Sequence, residues 1–243
     1  MNARPGERID ELGHGGLRII QHPGRFPFSV DAVLLAHFVK VRRRDRVLDL
    51  GTGCGVIPLL LSALHAEATL TGLEVQPETA DMAARSVQMN GLEDRIRILC
   101  GDFRYVGELL GYEQYDVVTI NPPYREPDRG HISPVPGRAS ARHGLTGDLT
   151  EAMAAAAHAV KFGGRVGVVF LAERLTDLFV AMRAARLEPK RLRLIQPRAG
   201  KPANLLLLEA VKGGGVGLKV EPPLVIYREG HTYTDEMLRF YED

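Results

Sequence analysis

Four consecutive residues, Asn121-Pro122-Pro123-Tyr124, follow the apolar run Tyr115-Asp116-Val117-Val118-Thr119-Ile120 and carry the groups needed to present a planar amine for alkylation. An amine conjugated to a base ring or a carbonyl is a poor nucleophile, because its lone pair is delocalised. The amide oxygen of Asn121 and the backbone carbonyl of Pro122 can each accept one N–H, holding the nitrogen and favouring pyramidalisation as it attacks. Tyr124 offers a ring on which the flat group bearing that amine can stack. The prolines remove backbone donors and stiffen the turn. Asn121, Pro122 and Tyr124 are therefore the candidate catalytic residues, set against the plainer alternative of a Pro-Pro turn closing a strand.

A second constellation lies upstream, where Asp49-Leu50-Gly51-Thr52-Gly53-Cys54-Gly55-Val56 leads from a strand-like run into a helix. Glycines let the backbone approach a ligand, and an open helix N-terminus offers unpaired N–H groups. The spacing is G-x-G-x-G rather than the G-x-G-x-x-G of dinucleotide sites, which argues against a pyrophosphate. Glu74, at the end of the next strand, is placed to hold both hydroxyls of a ribose. Asp102, after the third strand, can accept from an adenine amine, and Asp49 can meet a cationic amino group. Adenine, ribose and a charged amino-acid head without phosphates describe S-adenosylmethionine better than NAD.

Elements that could position these residues alternate along the chain. The strands expected are 46–50, 69–74, 95–100, 116–120 and 165–171, and the helices 56–64, 77–90, 149–161 and 174–185, the last-but-one ended by Gly163-Gly164. This is the pattern of a parallel sheet covered on both faces. Segments 189–196 and 203–211 are separated by too few residues for a crossover helix, so they should pair antiparallel at the sheet edge. Residues 1–44 read as an N-terminal cap segment, 45–212 as the core, and 213–243 as a C-terminal tail packed on it. The stretch 125–147, rich in Gly, Pro, Arg and Ser, reads as a functional loop.

Composition narrows the classes. The 243 residues suit one domain with ordinary apolar and charged fractions. The sequence has no apolar run of the roughly 20 residues needed to cross a bilayer, and its N-terminus is polar rather than signal-like, so a cytoplasmic protein is expected. Two cysteines without a CxxC pair or His/Cys spacing indicate neither a disulfide framework nor a metal site. Net charge is +1, yet Arg and Lys cluster at 42–46, 125–143 and 183–201. Each cluster alone reads as a solvated face; together they could contact phosphates if the fold gathers them.

The glycine turn, Glu74, Gly101-Asp102 and the NPPY turn together resemble a class I S-adenosylmethionine-dependent methyltransferase of the amino-methylating kind, over roughly residues 45–212. That resemblance implies a Rossmann-like α/β fold: a seven-stranded, mostly parallel sheet with an antiparallel last strand and helices on both faces. At both ends the chain is similar to the bacterial family that methylates adenosine 37 of valine tRNA at N6. The matching residues are Gln21-His22-Pro23-Gly24, Phe28 to Ala36, Arg142-His143, Pro197-Arg198 to Lys201, Leu205 to Lys212 and Pro222-Pro223-Leu224. The resemblance implies a cofactor set of Phe28, Ser29, Asp31, Asp49, Gly51, Gly53, Gly55, Glu74, Asp102 and Asn121. It also implies RNA contacts from Arg125, Arg142, His143, Arg198 and Lys201, with tRNA as partner and no metal.

The function expected is N6-methylation of an adenine in structured RNA. Release-factor-type glutamine methylation would use the same NPPY chemistry, but only about 45 residues precede the first strand, short for the larger helical N-terminal domain of those enzymes. DNA amino-methylation is disfavoured because no sizeable target-recognition segment is left over. A small-phenol O-methyltransferase would not need NPPY. A non-catalytic RNA-binding module of the same fold is the contrasting class, and the intact Gly51, Gly53, Glu74, Asp102 and Asn121 weigh against it. Oligomeric state is not legible in the residues.

Overall fold

In the computed structural model, residues 3–13, 15–24, 29–122 and 149–241 are described. They build an eight-stranded sheet between two helical layers, with a small hairpin fastened outside. The hairpin is β1 (Arg8–Glu11) and β2 (Arg18–Gln21), followed by helix α1 (Val30–Phe38). The alternation then runs β3 (Arg46–Leu50), α2 (Val56–Leu64), β4 (Thr69–Glu74), α3 (Pro77–Met89), β5 (Ile96–Cys100), α4 (Val106–Leu110) and β6 (Tyr115–Ile120). After the segment outside the described residues come α5 (Leu149–Ala159), β7 (Val160–Leu171), α6 (Leu175–Ala184), β8 (Leu187–Arg198), β9 (Leu205–Lys212), β10 (Lys219–Tyr227) and the short α7 (Asp235–Leu238).

Strand order across the sheet is β10-β8-β9-β7-β6-β3-β4-β5. Pairing is parallel except that β9 runs antiparallel between β7 and β8. The expected antiparallel pair is therefore present, and the seventh core strand is the reversed one. Two expectations need correction. The sheet has eight strands rather than seven, because Lys219–Tyr227 in the tail forms β10 against β8, which moves that pair away from the edge. Pro222-Pro223 hid this strand; proline is tolerated on an edge, where the missing N–H forgoes no ladder bond, and the register shifts between Glu221 and Leu224. The second correction concerns Gly163-Gly164, which does not end a helix. Strand β7 begins at Val160 straight after α5, and the register with β6 shifts between Tyr115 and Val117. A Cβ on Gly164 would lie 2.9 Å from the Asp116 carbonyl oxygen, so only glycine fits that irregularity.

Alternation along each strand sends side chains to two separate cores. Val47 and Val117 join α1, α2, the hairpin residue Ile19 and the tail residues Leu224, Ile226 and Met237 on one face. Leu48, Leu50, Val118 and Ile120 join α5 and α6 on the other. By the same period of two, Asp49 and Thr119, at paired positions of β3 and β6, share the α1–α2 face.

The N-terminal segment is fastened to α3. Ile20 N–H donates to Ser86 Oγ at 2.9 Å, and Asn90 brackets Arg18, accepting from its N–H at 2.9 Å and donating to its carbonyl at 2.6 Å. Arg85, 10% exposed, donates Nη1–H to Glu7 Oε2 at 2.9 Å and also pairs with Asp81. The Arg85 guanidinium holds the Glu7 carboxyl below its ordinary range. Replacing Arg85 by Ala leaves the part-buried Glu7 carboxylate with the Arg4 N–H and is expected to cost about 2 kcal/mol, read from the urea midpoint. Because the folded-state value of Glu7 is lowered, the contribution is present above about pH 4.5 and fades as pH falls through the folded value. The Arg85→Ala and parent midpoints should therefore converge in acid.

Helix α1 lies over the middle of β7, and just past the C-terminal end of the helix Arg165 Nε–H donates to Lys40 O at 2.9 Å. A Cβ on Gly167 would sit 2.2 Å from Val39 Cγ1, so this glycine lets the cap pack directly on the sheet.

Candidate functional site

Every parallel strand of the sheet ends at one edge, and the candidate residues gather there. Strand β3 delivers the glycine turn, β4 ends in Glu74, β5 leads to Asp102, and β6 leads to Asn121 and Pro122. Leu50 pairs with Ile120, so the glycine turn and the Asn-Pro turn leave the sheet side by side, about 4.8 Å apart as neighbouring strands. Neither turn continues the sheet: Gly51, Gly53 and Gly55 have φ of 72°, 57° and 87°, a region where side chains are strained. Gly55 is the N-cap of α2, where an added Cβ would also press on Ala83 at 3.2 Å.

Glu74 locks this turn to the next strand. Its Oε2 accepts the Gly53 N–H and its Oε1 the Gln76 N–H, both at 2.9 Å. Burial raises its pKa above the ordinary value despite those bonds. Asp49 is buried more deeply. Thr119 Oγ1 donates to its Oδ1 at 2.7 Å, while Oδ2 is buried without a hydrogen bond. Burial pushes the Asp49 carboxyl up to about 7, with the Thr119 and neighbouring Thr52 hydroxyls opposing and the Glu74 charge adding to the rise. Among the described residues no Lys, Arg or His forms an ion pair with Asp49 or Glu74. Two buried acids and an orphaned carboxylate oxygen are a setting that a cationic, hydroxyl-rich ligand satisfies; in S-adenosylmethionine, the ribose would fall to Glu74 and the amino-acid ammonium to Asp49.

Asp102 is differently occupied. It caps the turn 103–105 through the Arg104 N–H at 2.9 Å, and the Arg104 guanidinium donates to both its oxygens, Nε–H to Oδ2 at 2.9 Å. Arg104 holds its pKa below the ordinary range. Accepting an adenine amine would therefore require the Arg104 arm, 41% exposed, to swing aside. Ser29 is the N-cap of α1, and Asp31 lies buried in its first turn. Cys54, in the glycine turn, is a buried thiol pushed up to about 12 by desolvation, so it is not a nucleophile at neutral pH.

Arg198 and Lys201 lie on the same edge, at the end of β8 and in the β8–β9 connection, three strand spacings from Asn121, or about 14 Å. Arg198 Nη2–H donates to Gly230 O at 2.6 Å. Phe28, Tyr124, Arg125, Arg142 and His143 lie outside the described residues. Of the three basic clusters, 125–143 lies outside the described residues, and the other two are partly engaged in ion pairs. Arg43 and Arg44 pair with Glu67 at the opposite end of β3, Arg183 pairs with Glu188, and Arg191 is held by Glu209 and Glu221.

Three residues near the site were not singled out from the sequence. Thr119 bonds Asp49, and its place as the one threonine in an otherwise apolar strand end was a legible signal. Arg104, two residues after Asp102, and Arg174, just after β7 with its guanidinium 5.3 Å over the Phe170 ring, carried no pattern beyond their charge.

The family model described as the methyltransferase small domain matches residues 17–134. A tRNA1(Val) (adenine(37)-N6)-methyltransferase from a Shewanella species is 26% identical, covering 89% of this chain and 91% of that one. The protein of the same name from Shewanella amazonensis is 37% identical over 58% of this chain and 54% of its own. Among solved structures, a predicted O-methyltransferase from Agrobacterium tumefaciens superposes with TM-score 0.72 at 26% identity, covering 87% of this chain and 95% of that one. A geranyl diphosphate C-methyltransferase from Streptomyces coelicolor, solved with S-adenosyl-L-homocysteine, shares the fold at TM-score 0.55 and 13% identity, over 75% of this chain and 78% of its own.

Proposed function

We propose that this chain, a class I S-adenosylmethionine-dependent methyltransferase by fold and by family model, methylates N6 of an adenine in structured RNA, with adenosine 37 of valine tRNA as the substrate its relatives' names suggest. The carrying observation is the Asn121-Pro122 turn leaving β6 beside the glycine turn of β3. A pair of amine acceptors is thereby set next to a cradle suited to a cationic nucleoside.

The bound cofactor supplies an electrophilic methyl on a sulfonium. Asn121 Oδ1 and Pro122 O accept the two N–H bonds of the adenine amine and turn its lone pair toward that carbon. As the N–C bond forms, the S–C bond breaks and its electron pair stays on sulfur. The nitrogen, transiently cationic, then loses a proton to solvent, and no dedicated base is required. An adenine must leave its stack to reach the turn, which suits a loop nucleotide, and Tyr124 provides the ring on which it rests.

In this reading residues 45–212 carry the chemistry, 1–44 close over the cofactor with Phe28, Ser29 and Asp31, and 213–243 complete the sheet. Arg125, Arg142, His143, Arg198 and Lys201 hold phosphates. Among the described residues no helix is long and apolar enough to cross a membrane, in keeping with work on tRNA in the cytoplasm.

Methyl transfer from labelled S-adenosylmethionine to total tRNA and, in parallel, to release factor tests the proposal. Labelled N6-methyladenosine in tRNA is the expected product. Label in the protein fraction alone would move the same Asn121 chemistry to a glutamine amide and overturn the RNA reading.

A further inference from the structure

The eighth strand brings an aromatic group to the carboxyl edge that the methyl-transfer site does not use. Tyr227, Tyr233 and Tyr241 stack with centroids 5.3 Å and 5.8 Å apart and planes within 12°. One end of this ladder is anchored, where Tyr241 packs on Gly13 of the hairpin connection at 3.6 Å from an added Cβ. Tyr227 is the other end. Tyr227 closes the edge strand β10 and is only partly buried, and the exposed His231 meets it at 5.8 Å with ring planes 85° apart.

Among the described residues, the charges at this corner left without an ion pair are Arg198 and Lys201, set against one exposed acid, Glu229. Arg198 is the register partner of Tyr227, and its guanidinium pins the 228–232 turn through Gly230 O. It uses one of five N–H donors there, leaving others for a phosphate. Lys201 is exposed three residues on. Nearby acids are engaged, Asp235 by Arg228 and Glu236 by Arg193, while Glu229 on the turn is exposed and sets a limit to the positive patch.

We infer that Tyr227, His231 and Arg198 form a second nucleotide site on the same edge, which stacks an unpaired base in the Tyr227–His231 corner and holds its phosphate on Arg198. The site rests on the RNA reading above. Four strand spacings separate β10 from β6, about 19 Å, which at roughly 3.4 Å per stacked nucleotide spans five or six nucleotides. One RNA arm therefore reaches both Asn121 and this corner. Aromatic rings flanked by a guanidinium are the combination that holds single-stranded bases without reading their identity.

The test uses the full chain and total tRNA. Ultraviolet crosslinking with peptide mapping is expected to place an adduct within residues 227–233. Tyr227→Leu and His231→Ala should each weaken RNA binding by about tenfold, the effect of losing one stacked base, and raise KM for RNA. Tyr227→Phe keeps the ring and should bind within twofold of the parent. Cofactor affinity, measured by calorimetry, should be unchanged in all three variants and reports that they are folded. RNA affinity within twofold of the parent for both Tyr227→Leu and His231→Ala, or adducts mapping only elsewhere, would overturn this site while a methylated tRNA product kept the function intact. A parent chain that neither binds nor methylates any RNA would instead remove the function reading and this site with it.

Discussion

Asn121→Ala is expected to slow methyl transfer about a hundred- to a thousandfold under single-turnover conditions, the range for removing one preorganised hydrogen bond at a reacting centre. In the proposed mechanism the amide oxygen and the Pro122 carbonyl each take one amine proton, so neither replaces the other. Pro122 can accept only one of the two amine protons, and water in its place would have to be ordered afresh in each turnover. The loss should fall on the chemical step, with cofactor affinity changed far less than rate, since Glu74 and the glycine turn remain intact. Asn121→Asp provides the control, because it keeps an acceptor oxygen at the same reach and should retain more activity than Ala. Quenched-flow measurement with preloaded cofactor and excess enzyme reads the step directly. Near-normal turnover of the Ala variant would sink the amine-positioning role.

Those residues were legible because they sit where strands end. The apolar runs 46–50, 69–74 and 115–120 are short and buried on both faces, so periodicity and length mark them, and the glycines and prolines that follow mark the turns. Strand β10 was hidden for the opposite reason. Its Pro222-Pro223 pair opposes a strand assignment in isolation, and only the free edge of β8 makes a strand there possible. The ion pairs of the clusters at 42–46 and 183–201 were not legible, because sequence proximity says nothing about partners. Arg191 looks like part of a basic run, yet it is held by Glu209 and Glu221 with its guanidinium 4.3 Å over the Phe38 ring. A pairing of Arg104 with Asp102 likewise depends on a tight turn that brings residues two apart face to face. Glycine and proline turns at strand ends are readable from residue type; the partner of a charged side chain is not.

Asp49→Asn is expected to stabilise the ligand-free protein while weakening its hold on the cofactor. The carboxyl ionises near 3.8 when unfolded but only near 7 when folded. Between those values the unfolded chain has lost a proton that the folded chain retains, so stability falls as pH rises from about 4 to 7. The penalty above pH 7 is on the order of 4 kcal/mol at most, and it vanishes in Asn, which cannot ionise. Thermal melts of the ligand-free proteins should therefore coincide near pH 4 and separate at pH 7.5, with the variant higher. Binding runs the other way. A cofactor ammonium needs the ionised carboxylate, so affinity should rise up to tenfold per pH unit until about pH 7 and fall again above about 8, where the cofactor's own α-amino group loses its proton. At neutral pH, binding should release a proton, visible as a buffer-dependent enthalpy in calorimetry. The Asn variant should lose the rising limb and bind about ten- to a hundredfold more weakly at pH 7.5, the worth of a charge-assisted hydrogen bond. A parent affinity flat from pH 5.5 to 7.5 would mean that Asp49 does not meet the ammonium, and its buried Oδ2 would then need another partner.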